Sequence, residues 1–195
     1  IVSSAFTGQH SNASSNQHAG VEVHVAPIAG INMSMSGHGN QPFANSRITI
    51  YRVGSLGKYS ILNQTVSGAT SSIGQSLIQN DSNYQMVITT PDSYSISMYE
   101  VNLSTASSNF ATQQVNFSDA KPNQTRFMSP VLASNATGFS KSTITFIKTF
   151  EPDLICSCQD WNYANSNCTG AWVCNSTSAY SYASNSTHFW FNVTH

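Results

Sequence analysis

The sequence predicts an all-β fold: an antiparallel β-sandwich with an extended N-terminal arm and a disulfide-stapled C-terminal β module. Three observations carry this. Runs of alternating polarity recur at intervals of roughly 8–15 residues, with turn residues between them. No stretch keeps a helical period long enough to make a helix of ordinary length. All four cysteines and all three tryptophans fall in the last segment, from Glu151 to His195.

Residues 1–20 are small and polar and read as an arm. Val21, Val23 and Val25 then alternate with Glu22, His24 and Ala26, and Pro27 closes the strand. No hairpin partner stands beside it in sequence, so it is expected to pair at long range, in its own sheet or in another subunit. Ile28, Ile31, Met33 and Met35 lead into a glycine-rich turn at Ser36–Asn40. Arg47–Val53 is a strand, Gly54 and Gly57 frame a turn, and Tyr59–Val66 is the next strand. Residues 67–79 are assigned one short helical turn on the spacing of Ile73 and Leu77.

Tyr84–Thr90 is a strand stopped by Pro91-Asp92. Tyr94–Leu103 follows, with Tyr94, Ile96 and Met98 on one face; Phe110–Phe117 and Thr125–Leu132 are shorter. Ser142–Phe150 places Ile144, Phe146 and Phe150 on one side, and Glu151-Pro152-Asp153 breaks it. In the last strand, Thr187–Thr194, Phe189, Phe191 and Val193 point one way, and His188, Trp190 and Asn192 the other. The chain divides into residues 1–45, the arm and its strand; 46–150, the sandwich; and 151–195, the cysteine module. That module is either part of the same sandwich or a second small domain.

Charged residues are only 8% of the chain, against roughly 25% in an ordinary globular protein, and the net charge is −1. No basic field is present for nucleic acid or for a lipid surface. Solubility has another candidate source. Asn-x-Ser/Thr triplets begin at Asn12, Asn32, Asn63, Asn80, Asn102, Asn116, Asn123, Asn135, Asn167, Asn175, Asn185 and Asn192. These are 12 of 19 asparagines; chance placement would give about 5. The excess points to a glycosylating secretory route and an extracellular or cell-surface location. Asn102 shares strand parity with Met98, so a sugar there requires the parity to break near Glu100.

An even cysteine count fits an oxidising compartment. Cys156 and Cys158 are too close to bridge each other comfortably, so each pairs with Cys168 or Cys174, which leaves two connectivities. The spacing, C-x-C and then nine and five intervening residues, is not a usual zinc pattern. Ile1 is not a start methionine, which suggests processing or a longer product, and no transmembrane run is present.

No catalytic constellation appears: no G-x-S-x-G, no H-E-x-x-H, no phosphate-binding glycine loop. Glu151 and Asp153 flank a proline turn and read as solvated loop residues. His10, His18, His24, His38, Met33 and Met35 combine imidazole with thioether, which suits copper. Met33 and Met35 share strand parity, however, and are expected to pack. No metal, cofactor or enzymatic role is assigned. Trp161, Tyr163, Trp172 and Trp190 would make a sugar platform if exposed, although large aromatics in a small stapled module are more often core.

Two stretches resemble known families. Cys168-Thr169-Gly170-Ala171-Trp172, with Asn185–His195, resembles a module of large surface proteins of small-genome archaea. In that family the strand runs on past the final Thr-His, which implies a tail beyond His195. Residues Arg47–Met98, best in N-D-S-N-Y-Q-M-V-I-T, resemble transthyretin-like or Cna-B-like sandwiches, and the expected sandwich is of immunoglobulin-like or transthyretin-like type. Dense sequons with low charge resemble archaeal surface-layer and extracellular filament subunits. These resemblances imply a cell-surface role. The sequon excess, the low charge, the all-β pattern and the isolated N-terminal strand lead to the expectation of a secreted structural subunit that polymerises with identical copies, with Val21, Val23 and Val25 as the contact strand. The alternative is an adhesin or carbohydrate-binding module of a larger surface protein.

Overall fold

The structure is a computed structural model and describes residues 2–7, 20–25, 31–41, 45–66, 70–73, 84–102, 109–116 and 129–194. In chain order the strands are β1 Val2–Thr7, β2 Gly20–Val25, β3 Ile31–Ser36, β4 Ser46–Gly54, β5 Gly57–Val66, β6 Thr70–Ile73, β7 Tyr84–Thr89, β8 Ser95–Val101 and β9 Asn109–Val115. They continue as β10 Val131–Ser134, β11 Lys141–Ile147, β12 Leu154–Cys158, β13 Trp161–Asn162, β14 Asn167–Cys168, β15 Trp172–Ser176, β16 Tyr182–Ser184 and β17 His188–Thr194. Short 3-10 turns at His38–Asn40 and Thr177–Ala179 are the helical elements among the described residues.

Two sheets make the sandwich. One has seven strands in the order β16-β17-β11-β8-β7-β4-β5; the other has four, β10-β9-β3-β6. Met33 and Met35 of β3 are fully buried and pack against Ile48 and Ile50 of β4, Met86 and Ile88 of β7, and Ile96 and Met98 of β8. These residues recur every second position, so each strand turns one apolar face inward. Each side chain buried this way contributes about 1.5–3 kcal/mol. The methionines fill the space between the sheets, as strand parity predicts. β3 lies inside the 1–45 segment read as the arm, yet it has neighbours on both sides within the four-stranded sheet.

Two features differ from the sequence reading. The pairing of β3 with β9 is parallel, not antiparallel. Alternation does not encode direction; from β3 the chain crosses to β4 and β5, touches its first sheet at β6, crosses again to β7 and β8, and returns at β9, a connection long enough for a parallel neighbour. The helical turn assigned within 67–79 is replaced at Thr70–Ile73 by β6, whose Ile73 stands opposite Ile31. Thr70, Ser71 and Ser72 are poor helix formers, and a ready strand partner decides their conformation. Leu77, the other half of the expected helical pair, lies outside the described residues.

The break in parity near Glu100 is present. Tyr84 pairs with Val101 and Met86 with Met98, so Tyr99 and Glu100 together oppose Gln85. Glu100 takes φ 54°, and Val101 swings onto the core side, where it is 1% exposed. Gly57, at φ 118°, closes the β4–β5 hairpin in a conformation that side-chain-bearing residues rarely adopt.

The C-terminal segment has two parts. First, β17 pairs with β11 through Phe146↔Phe189 and Ile144↔Phe191, so the final strand extends the seven-stranded sheet. Its inward aromatics form a second core. Phe146 stacks on Phe189 at 5.3 Å and on Phe191 at 6.1 Å, with Tyr94, Phe150 and Ile155 around them. Second, β12 and β15 form a hairpin bridged by Cys156–Cys174, and Cys158–Cys168 ties the end of β12 to β14. Of the two connectivities left open by spacing, this is the one adopted.

A buried glutamine joins this module to the four-stranded sheet. Gln113 of β9 donates to the Tyr163 carbonyl (2.8 Å) and to Ser36 Oγ (3.2 Å), and accepts from Trp161 Nε1 (2.9 Å). Nearby, the Gly39 amide donates to Ser166 Oγ at 3.0 Å, and Ser166 is itself fully buried. Gln113→Leu keeps the volume and strands these partners, so it is expected to cost about 2–4 kcal/mol. Urea unfolding measures it; a loss below about 0.5 kcal/mol would mean that the joint is not a structural tie.

Candidate functional site: sequon faces and an apolar cleft

Eight sequon asparagines have described side chains. Asn63, Asn116, Asn135, Asn175, Asn185 and Asn192 are exposed; Asn102 and Asn167 are half-buried. Asn12, Asn80 and Asn123 lie outside the described residues, and only the backbone of Asn32, on β3, is described. A sugar attaches at Nδ2 and needs solvent access there, and six of the eight residues are exposed.

Several of these side chains are held in place through their oxygen, with Nδ2 left out of those bonds. Asn185 Oδ1 accepts from the amides of Thr187 (2.8 Å) and His188 (2.7 Å) and from Thr187 Oγ1 (3.2 Å), an Asx turn leading into β17. Asn135 Oδ1 accepts from the Ala111 amide, and Asn192 Oδ1 from Thr143 Oγ1, both at 2.6 Å.

The outer face of the seven-stranded sheet is largely polar, with the rings of Tyr51, Tyr99 and Trp190 among its side chains. Cross-strand register aligns Asn63, Thr49, Val87, Ser97, Thr143 and Asn192 in one row across six strands. A sequon therefore stands at each end of the row.

The inner face is covered unevenly. The methionine-filled core lies between β3 and β4, β7 and β8. Over β11 and β17 lies a cleft of about 710 Å3. Its floor includes Ile144, Phe146, Phe189 and Phe191; Val131 and Leu132 of β10 stand on one side, and Leu154 and Ile155 of β12 on the other. β10 is the last strand of its sheet and β12 pairs only with β15, so among the described residues each has one unpaired long edge.

The N-terminal strand has a partner nearer than the sequence suggested. β2, which carries Val21, Val23 and Val25, pairs antiparallel with β1, from Val2↔Val25 to Thr7↔Gly20. The arm itself is that partner. Residues 8–19 separate the two strands, and the entropic cost of closing a longer loop grows only slowly. The hairpin joins neither sheet of the sandwich.

Trp161, Tyr163 and Trp172 are half-buried and border the cleft. Trp161 and Trp172 meet edge to face at 6.5 Å, and burial pushes the Tyr163 hydroxyl well above the usual tyrosine range. They belong to neither buried core cluster; Trp190 alone of the four stands on the outer face. Glu151 and Asp153 are both exposed. Glu151 pairs with Lys148 and accepts from the Tyr182 hydroxyl and from Ser184 Oγ (3.2 Å). The hydrogen bond from Lys148, then that from Tyr182, holds its carboxyl below the usual range. This cluster clips the edge strand β16 to the end of β11.

Among the described residues no group of three or more His, Cys, Asp or Glu side chains is placed to hold a metal ion, and no helix is long and apolar enough to cross a membrane. His38 is exposed; His10, His18 and His24 have no described side chain. No protein-family model, no curated protein and no solved structure matches the chain.

Proposed function

We propose that this protein is a secreted, N-glycosylated structural subunit that assembles with identical copies into an extracellular filament or surface layer. The observation that carries the reading is a pair of unfinished surfaces on one chain. One is a two-stranded hairpin that joins neither sheet among the described residues; the other is an apolar cleft lined by β10 and β12, each with one edge unpaired among those residues. An isolated two-stranded hairpin is marginally stable in water at best. An open strand edge is a template for pairing with another chain.

Each surface supplies what the other lacks. The β1–β2 hairpin of one copy enters the cleft of the next, and its backbone groups pair with the edges of β10 and β12. Alternate valines of β2 then meet the open apolar lining of the cleft, Val131 and Leu132 of β10 and the exposed Leu154 of β12. Because donor and acceptor are different surfaces, the contact is head-to-tail, and a rotation that does not close carries it on into a filament. The disulfides suit an oxidising exterior. The sequon coat takes the solubilising role that charge plays elsewhere.

Deleting residues 1–26 tests the reading. The truncated protein should stay folded and monodisperse by light scattering, while the full chain forms polymers visible by negative stain. Normal polymers from the truncated chain would overturn it. A full chain that never polymerises yet binds glycans on an array would favour the adhesin reading instead.

A further inference from the structure

We propose that the glycan on Asn192 is a packed part of the sheet's outer face, its first sugar lying against the indole ring of Trp190. The inference rests on the glycosylation reading above and concerns what the sugar does once attached. Attachment joins Nδ2 to the anomeric carbon of a diphosphate-activated glycan donor; the nitrogen loses a proton, and the carrier diphosphate leaves with the bonding pair.

Three observations place the sugar. Asn192 and Trp190 are two residues apart on β17 and so share the outer face, about 7 Å apart along the strand. Asn192 is exposed and Trp190 is half-buried, so part of the indole is open to solvent. The cross-strand neighbours of Trp190 are Thr145 on β11 and Ala183 on β16, both too small to cover an indole.

The amide is also oriented. Thr143 Oγ1 donates to Asn192 Oδ1 at 2.6 Å, and the Asn192 backbone amide donates to the Ser181 carbonyl at 3.3 Å. With Oδ1 turned toward β11, Nδ2 faces away from it. A sugar bonded there is short of rotational freedom before it meets the ring, which lowers the entropy lost on packing. The C–H bonds on one face of a pyranose are weakly positive, and the π face of an indole is negative. Asn63, at the far end of the same row, serves as an internal control: Thr65 stands two residues from it and Thr49 across from it, neither with a ring.

The test is a double-mutant cycle in an N-glycosylating host, read by thermal unfolding of the full chain. Thr194→Ala removes the Asn192 sequon, and Trp190→Ala removes the ring; Trp190→Leu serves if the alanine variant does not fold. Peptide mass analysis first establishes whether Asn192 carries sugar. Loss of the sugar should lower Tm by about 2–4 °C when Trp190 is present and by less than about 0.5 °C when it is absent. Thr65→Ala, which removes the Asn63 sequon, should show no coupling to Trp190. Equal shifts in both backgrounds, with Asn192 glycosylated, would overturn the packing while leaving the glycosylation reading standing. A bare Asn192 would overturn both at this site.

Discussion

Replacing Phe146 with alanine should destabilise the fold by about 3–5 kcal/mol. For a chain of this length that corresponds to a fall in Tm of roughly 6–20 °C. Phe146 is 7% exposed and sits at the centre of the aromatic core, stacked on Phe189 and Phe191, with Tyr94 tilted against it at 5.5 Å. Those partners belong to β17 and to the turn before β8. Removing the ring therefore weakens the packing that holds the final strand into the sheet, besides the transfer free energy of the side chain itself. The large cost depends on neighbours that cannot collapse into the space, and here they are held by a paired β-ladder on both sides of β11. Phe150 provides the comparison. It is half-buried at the rim, touching Phe189 at 6.0 Å, so Phe150→Ala should cost less than half as much. Equal losses for the two variants, or a Phe146→Ala loss under about 1 kcal/mol, would mean that the cleft floor is not a load on the fold's stability.

Most of the strands were legible because alternation is a local property. Ile48 and Ile50, Ile96 and Met98, Phe189 and Phe191 announce a buried face without reference to any partner. The break at Glu100 was legible for a related reason. A sequon and a core parity cannot coexist on one face, so the conflict at Asn102 located the bulge. What alternation leaves out is which strand lies beside which, and in which direction. The parallel β3–β9 pair follows from the chain leaving one sheet and returning, and Thr70–Ile73 became a strand because β3 offered an edge.

The candidate site was legible in proportion to how local its parts are. Sequons are three-residue signals, and exposure at Asn63, Asn116, Asn135, Asn175, Asn185 and Asn192 agrees with them. The cleft was not legible. It exists because β10 ends one sheet while β12 begins a separate hairpin, both over the same floor, and no single segment of sequence contains that fact. Gln113 was missed for the same reason. A lone glutamine in a polar strand carries no signal until Trp161, Tyr163 and Ser36, from three other parts of the chain, are brought to it.

The two disulfides should differ in what their loss does, and the shorter loop should matter at least as much. Cys156–Cys174 spans 18 residues and Cys158–Cys168 spans 10. Restriction of the unfolded chain alone makes each worth about 3 kcal/mol, with the longer loop ahead by about half a kcal/mol. The folded state reverses that order. Cys156 and Cys174 face each other within the β12–β15 ladder, which pairs five residues a side and still holds the strands when the bridge is gone. Cys158–Cys168 instead anchors β14, whose pairing with β13 is only two residues long. That short pair positions Trp161 for its bond to Gln113. Replacing Cys158 and Cys168 with serine should therefore cost at least about 3 kcal/mol. It should also remove most of the effect of Gln113→Leu, because the joint will already have loosened. Replacing Cys156 and Cys174 should add to Gln113→Leu almost independently. Urea unfolding of the single and combined variants measures both couplings. Additivity in both cases would mean that the shorter bridge does not support the joint, and that the module is held to the sheet by the β17 ladder alone.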